Sequence, residues 1–119
     1  MGQPRFGNFF TATLYHRVKN SHEYDTEHPV TFECRTASEK ELEHFYPLRG
    51  LNVHKTGLTL YTQHDILDVI EDDDKLVFMG QEYLIDSVGI YLSQSRMVNQ
   101  RMFNDSHVIE NSPKGIRIY

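Results

Sequence analysis

The 119-residue sequence contains very little alanine and cysteine, and no tryptophan. Ala12 and Ala37 are its two alanines, and because alanine is the strongest helix former, a helical bundle is disfavoured. The single cysteine, Cys34, excludes an internal disulfide and a zinc site built from several cysteines. No apolar run approaches the roughly 20 residues that span a bilayer, and residues 1–10 are too polar and too short for a signal peptide. We therefore expect a soluble protein of a reducing compartment, with no membrane partner.

Basic residues are also few relative to acids. Twelve Lys and Arg against 17 Asp and Glu give a formal net charge of −5 at pH 7. This balance argues against tight generic binding to DNA or RNA, which depends on clustered Lys and Arg that neutralise phosphates. It does not exclude a protein that DNA passes without binding to it. A G-x-S-x-G motif and glycine-rich phosphate loops are absent from the sequence, so we expect no enzyme and no cofactor.

Alternation of apolar and polar residues is the main pattern that is present. A period of two over 9–19 and 30–37 predicts half-buried strands, joined by the polar connection 20–29. Cys34 lies on the apolar face, where we expect a packed and inert thiol. Short strands are also predicted at 58–62 and 116–118, and residues 75–92 predict a hairpin of two strands. Within 75–92, Gly80-Gln81 predicts a two-residue hairpin turn and Gly89 a bulge or bend.

Helix and loop signals lie between these strands. Ser38 and Glu41 form an S-x-x-E capping box, which predicts a helix of two turns ending near Pro47. Residues 47–57 have no firm period and predict a mobile loop. A second stripe predicts a helix or a packed turn from Ile66 to Ile70, and the stretch from 112 to 115 predicts a type I turn. The whole chain, 1–119, is then one mainly β domain. Its predicted form is a small β-barrel or sandwich of five to six strands, with one or two short helices and a long mid-chain loop.

Histidines and acids are the candidates for metal chemistry. Seven histidines are present, but none forms H-x-x-x-H. The densest group lies in the 20–29 connection, where a zinc site with two His and one carboxylate is the alternative to plain solvation. Its members are His22, Glu23, Asp25 and His28. A second group is the acidic run of Glu71, Asp72, Asp73 and Asp74. This run lacks the spacing and glycine of a calcium loop, so it predicts a solvated turn, with a functional acidic surface as the alternative.

Two segments together resemble the small head–tail connector proteins of tailed phages, which include head-closure ("stopper") and minor capsid proteins. The first segment follows the pattern x-Y-T-x-x-D-I-x-x-V, then an acid, then F-x-G-x-x-Y-x-I-x-x-V. It is carried by Tyr61, Thr62, Asp65, Ile66, Val69, Asp74, Phe78, Gly80, Tyr83, Ile85 and Val88. The second segment, SPKGIRIY, resembles the P-K-G-I-x-L ending of many such proteins.

The resemblance implies a structural virion protein without catalytic residues. Such proteins form a homo-oligomeric ring, often of twelve copies, below the portal and its adaptor. The ring closes the DNA channel after packaging and docks the tail through a terminator or tail-completion protein. The protein would be made in the host cytoplasm and would lie in the virion, close to packaged DNA without specific binding. The alternatives are a tail terminator or tail-completion ring protein, or a small His/carboxylate metal-binding protein.

The resemblance also implies positions for the working surfaces. The loop at about residues 43–57 corresponds by position to a lumen or plug element. Its candidate residues are Arg49, Asn52, His54 and Lys55. The acids 71–74 would either line a lumen that repels DNA or contact a basic patch on the next subunit.

Overall fold

A computed structural model describes residues 8–49, 57–71, 73–92 and 106–119. These residues form seven strands and two short helices. In chain order they are β1 (Phe10–Tyr15), β2 (Val30–Thr36), α1 (Glu39–Leu42), β3 (Phe45–Arg49), β4 (Leu58–Thr62), β5 (Lys75–Phe78), β6 (Gln81–Tyr91), α2 (Ser106–Asn111) and β7 (Lys114–Ile118). Neither helix is long and apolar enough to cross a bilayer, and the described ranges contain no other candidate span.

Six of the strands close into an antiparallel barrel. Their order is β1-β2-β4-β7-β6-β5, and β5 pairs back onto β1. The closing strand is β7, which pairs with β4 on one side and with β6 on the other. The predicted mainly β fold is confirmed, and of the two predicted forms the barrel is the one observed. Closure matters because it removes the unpaired strand edges that an open sheet would leave.

The barrel interior is filled by the inward-facing residues of the alternating strands. They include Ala12, Leu14, Phe32, Cys34, Leu60, Leu76, Phe78, Val88, Ile116 and Ile118, all buried. One helical turn between β4 and β5 adds Ile66 and Ile70 to this core, with the Ile70 N–H donating to the Ile66 carbonyl at 3.0 Å. Of the two predicted forms of this segment, the packed turn is the one observed. The Cys34 thiol is buried as predicted, and burial raises its pKa to about 12.

The segment after β2 differs from its predicted form. The capping box is confirmed, because the Glu41 N–H donates to Ser38 Oγ and the Ser38 N–H donates to Glu41 Oε1. The helix is one turn, however, and the predicted second turn to Pro47 is wrong. Phe45–Arg49 is instead strand β3, which pairs with β6 and bulges between Pro47 and Arg49. The predicted 43–57 loop is correspondingly shorter, and its residues 50–56 lie outside the described part of the chain.

Two glycines allow this segment to cross the outside of the barrel. The chain leaves β2 through α1, passes over β4 and β7, and pairs as β3 with β6. A Cβ atom on Gly89 of β6 would lie 2.1 Å from the Tyr46 carbonyl oxygen, and one on Gly115 of β7 would lie 2.5 Å from the Phe45 ring. Gly89 therefore permits the backbone of β3 to approach β6 closely. In this strand pair the bulge lies in β3, between Pro47 and Arg49, and not at Gly89.

Two predicted turns also change. The β5–β6 hairpin turn consists of Met79 and Gly80, with φ of 51° and 78°, so it lies one residue earlier than predicted. Positive φ at both positions is the type I′ form, which matches the twist of the flanking strands. The predicted type I turn over 112–115 is wrong, because β7 already begins at Lys114. Lys114 is buried, and its Nζ donates to the Ser112 carbonyl at 2.6 Å.

Candidate functional site

The predicted plug loop is only partly described. Arg49 ends β3, and its guanidinium donates to the backbone carbonyls of Leu67, at 3.3 Å, and Ile70. It therefore fastens β3 to the connection between β4 and β5, which is a structural contact. Asn52, His54 and Lys55 lie outside the described residues, so their assignment to a plug stays a prediction.

The predicted acidic surface divides into exposed and buried members. Glu71 and Asp73 are exposed, with side-chain accessibilities of 70% and 71%, and Asp73 lies 3.5 Å from the Arg17 guanidinium. Asp72 lies outside the described residues. Asp74 is fully buried, so the prediction of a solvated turn is wrong for this residue. Its backbone N–H donates to the Glu71 carbonyl at 3.3 Å, which closes a turn from Glu71 to Asp74.

The Asp74 carboxylate contacts a histidine that follows the first strand. His16 follows β1, and its Nδ1 lies 2.8 Å from Asp74 Oδ2 and 3.7 Å from Glu71 Oε1. The Glu71 N–H also donates to Asp74 Oδ2, at 2.8 Å. Burial raises the pKa of Asp74 above its usual value, although the Glu71 hydrogen bond and His16 oppose the rise. We call His16, Glu71 and Asp74 the His16 cluster.

The predicted group in the 20–29 connection does not assemble into a site. His28 Nδ1 lies 3.0 Å from Asp25 Oδ2, and this hydrogen bond lowers the pKa of Asp25. His22, in contrast, turns its Nδ1 toward the Arg17 guanidinium at 3.3 Å. Within the described ranges, the His16 cluster alone brings three possible ligand atoms within 4.8 Å of one another. Sequence spacing had no signal for it, because its members come from the end of β1 and from the turn before β5.

A second polar group lies outside the barrel, beneath α1. Arg35 points outward from β2, yet its side chain is only 9% exposed. Both of its terminal nitrogens donate to the Glu41 carboxylate, at 2.7 and 2.6 Å. The guanidinium also stacks over the Tyr61 ring, 4.3 Å from its centroid, and the Tyr91 ring lies 5.2 Å from that of Tyr61. The guanidinium is therefore held by a charged partner and by aromatic contact, although its Nε is buried without a hydrogen-bond partner among the described residues.

A cavity of about 390 Å³ adjoins this group. It is lined by Glu41, His44, Tyr61, Tyr91, Leu92, Asn111, Ser112 and Pro113. The Tyr91 hydroxyl and His44 Nδ1 are buried there without a hydrogen-bond partner among the described residues, and burial raises the pKa of Tyr91. Four of its eight lining residues are aromatic or aliphatic and the other four are polar or charged.

Comparison with known proteins adds no relative. No protein-family model, curated protein or solved structure gives a significant match to this chain.

Proposed function

We propose that this protein is a structural, non-enzymatic subunit of a ring in the head–tail connector of a tailed phage. In this role it closes the DNA channel after packaging and docks the tail. The main support for the proposal is the position in the barrel of the two segments that resemble phage connector proteins. The first contributes β4, β5 and most of β6, and the second contributes β7, which lies between β4 and β6. The two segments thus build one continuous face, β4-β7-β6-β5.

Residues of the first pattern have defined structural tasks in this face. The Thr62 hydroxyl is buried, donates to the Glu33 carbonyl at 2.6 Å and accepts the His64 N–H at 3.1 Å. Ile66 belongs to the core turn, and Gly80 takes the positive φ that the β5–β6 turn requires. Residues of the pattern thus stabilise the barrel from β4 to β6. This supports the interpretation that the pattern marks a shared fold.

Surface features are compatible with contacts between subunits. β3 is the terminal strand of the sheet order, with β6 as its one strand neighbour in the described part of the chain. Such a strand offers backbone groups for pairing with another copy. Several large apolar side chains are exposed as well, among them Phe10, Leu42 and Met79. In a ring, the next subunit would cover part of this surface.

The exposed acids fit the channel. Glu71 and Asp73 present negative charge outside the barrel, and Asp73 is only loosely paired with Arg17. On a lumen wall such charges would repel DNA, and on a subunit contact they would attract a basic neighbour. The portal or adaptor on one side and a tail-completion or terminator protein on the other are the expected partners.

Assembly and phage genetics test the proposal. Purified protein is expected to form rings in negative-stain micrographs, with a mass by light scattering that is a multiple of the 14.0 kDa chain. Particles lacking the protein should package DNA but leak it or fail to join tails, and the gene supplied in trans should restore them. Infectious particles assembled without the protein would overturn the proposal.

The alternative of a tail terminator is separated by position. Cross-linking in intact particles is expected to join the protein to the portal or adaptor. Cross-links to the tail tube alone would assign it to the tail terminator instead.

A further inference from the structure

We propose that His16, Glu71 and Asp74 bind a divalent transition-metal ion of the zinc class where β1 meets the turn before β5. This inference is independent of the proposed connector function, because it concerns the barrel of a single chain. It also differs from the zinc site predicted in the 20–29 connection, whose members do not converge.

The spacing of the three side chains suits a small ion. His16 Nδ1 lies 2.8 Å from Asp74 Oδ2 and 3.7 Å from Glu71 Oε1. Zinc bonds to imidazole nitrogen and carboxylate oxygen of about 2.0–2.2 Å in a tetrahedron separate the ligand atoms by roughly 3.3 Å. The observed distances lie on either side of that value, so small side-chain movements complete the geometry.

A buried oxygen of Asp74 without a hydrogen-bond partner also supports the site. Its side chain is 1% exposed, and its Oδ1 has no hydrogen-bond partner among the described residues. The other oxygen, Oδ2, accepts from the Glu71 N–H and lies 2.8 Å from His16 Nδ1. The Arg17 guanidinium contacts Asp73 and the Ser21 carbonyl instead. Buried carboxylates are normally paired with a cation or coordinate a metal. A bound ion at Asp74 Oδ2 and His16 Nδ1 would place positive charge beside this buried carboxylate.

The ligand types indicate which ions fit. An imidazole nitrogen with two carboxylates favours zinc or a neighbouring transition metal, whereas calcium and magnesium prefer oxygen ligands. Glu71 is largely exposed, so the ion has a path from solvent. Three protein ligands leave one position of a tetrahedral ion for water.

Calorimetric titration of chelator-treated full-length protein with Zn²⁺ tests the site. We expect one Zn²⁺ per chain at this site and a rise in the thermal unfolding midpoint, because the ion binds the folded state. Glu71→Gln is the main variant, since the side chain is exposed and its loss should leave the fold intact. It is expected to weaken Zn²⁺ binding by about tenfold or more. His16→Gln should do the same.

The matched control is His28→Gln, which removes an exposed histidine from the Asp25 pair. It should leave the affinity and the zinc-induced thermal shift as in the original chain. Absence of Zn²⁺ binding by the original chain would overturn the proposal. Variants at Glu71 and His16 that bind Zn²⁺ as tightly as the original chain would overturn it as well. Loss of binding in the His28 variant alone would assign the ion to the 20–29 connection and would also overturn it. Binding of Mg²⁺ or Ca²⁺ in preference to Zn²⁺ would refute the assigned metal class.

Discussion

Arg35 and Glu41 form a largely enclosed ion pair, with side-chain accessibilities of 9% and 26%. The guanidinium is almost fully buried, while Glu41 holds it through two short hydrogen bonds and also completes the capping box of α1. Glu41 beside Arg35 has a lowered pKa because of this hydrogen bond, and the pKa of Arg35 is raised by the same contact. One carboxylate thus joins β2 to the segment that crosses the barrel.

Replacing Glu41 by Gln is expected to lower the free energy of unfolding by about 2 kcal/mol at pH 7, because Arg35 would remain buried without a counter-charge. The folded-state pKa of Glu41 lies below its ordinary value of 4.5. Its stabilising effect is therefore present above that value and is lost as the pH falls through the folded-state pKa. Urea unfolding at pH 7 and pH 3 should show the difference between the two proteins shrinking in acid.

Glu39→Gln is the control for this experiment, since Glu39 lies on the exposed side of the same helical turn. It should change stability by no more than about 0.5 kcal/mol. If the Arg35–Glu41 pair contributes nothing to stability, the two variants should have the same free energy of unfolding at pH 7.

At the scale of elements, the attachment of β3 depends on the absence of a side chain at Gly89. In Gly89→Ala the new Cβ would meet the Tyr46 carbonyl oxygen and the Pro47 Cα, both of which are backbone atoms with little freedom to move. We expect a loss of about 2–3 kcal/mol. Hydrogen exchange followed by mass spectrometry should show faster exchange in peptides covering 45–49. Unchanged protection of those peptides would mean that β3 can shift without cost.

Elements set by local pattern were predictable from the sequence. Alternation located β2 and β4, and the apolar positions Ile116 and Ile118 located β7. β3 was missed because Phe45 and Tyr46 stand at helical spacing from Leu42, while their strand form depends on pairing with the distant β6. The hairpin turn was predicted one residue late because Met79, an unusual residue at positive φ, gave no turn signal.

At the scale of the whole molecule, β7 makes the barrel a closed structure. Ile116 is fully buried at the middle of this strand, opposite Leu60 on one side and Val88 on the other. Ile116→Pro removes an N–H from the ladder, so β4 and β6 should separate and expose the core. We expect no cooperative thermal transition and strong binding of a hydrophobic dye. Ile116→Val, which keeps the N–H, should cost only about 1 kcal/mol.

Retention of a wild-type unfolding midpoint in the Ile116→Pro protein would show that closure through β7 is dispensable.

The same long-range closure explains what sequence could not predict about the candidate site. His16 and Asp74 are brought together by the β1–β5 pairing, so neither the burial of Asp74 nor its contact with His16 follows from neighbouring residues. Lys114 likewise seemed a turn residue but is buried at the start of β7.

The enclosed Cys34 thiol can serve as a natural probe of barrel opening. It is the sole cysteine of the chain, it is shielded inside the closed sheet, and its pKa is held at about 12. At neutral pH a thiol reagent therefore finds neither access nor thiolate until β1 and β2 separate around it. With reagent in excess, the rate of labelling would count barrel openings in the native chain, without an engineered probe.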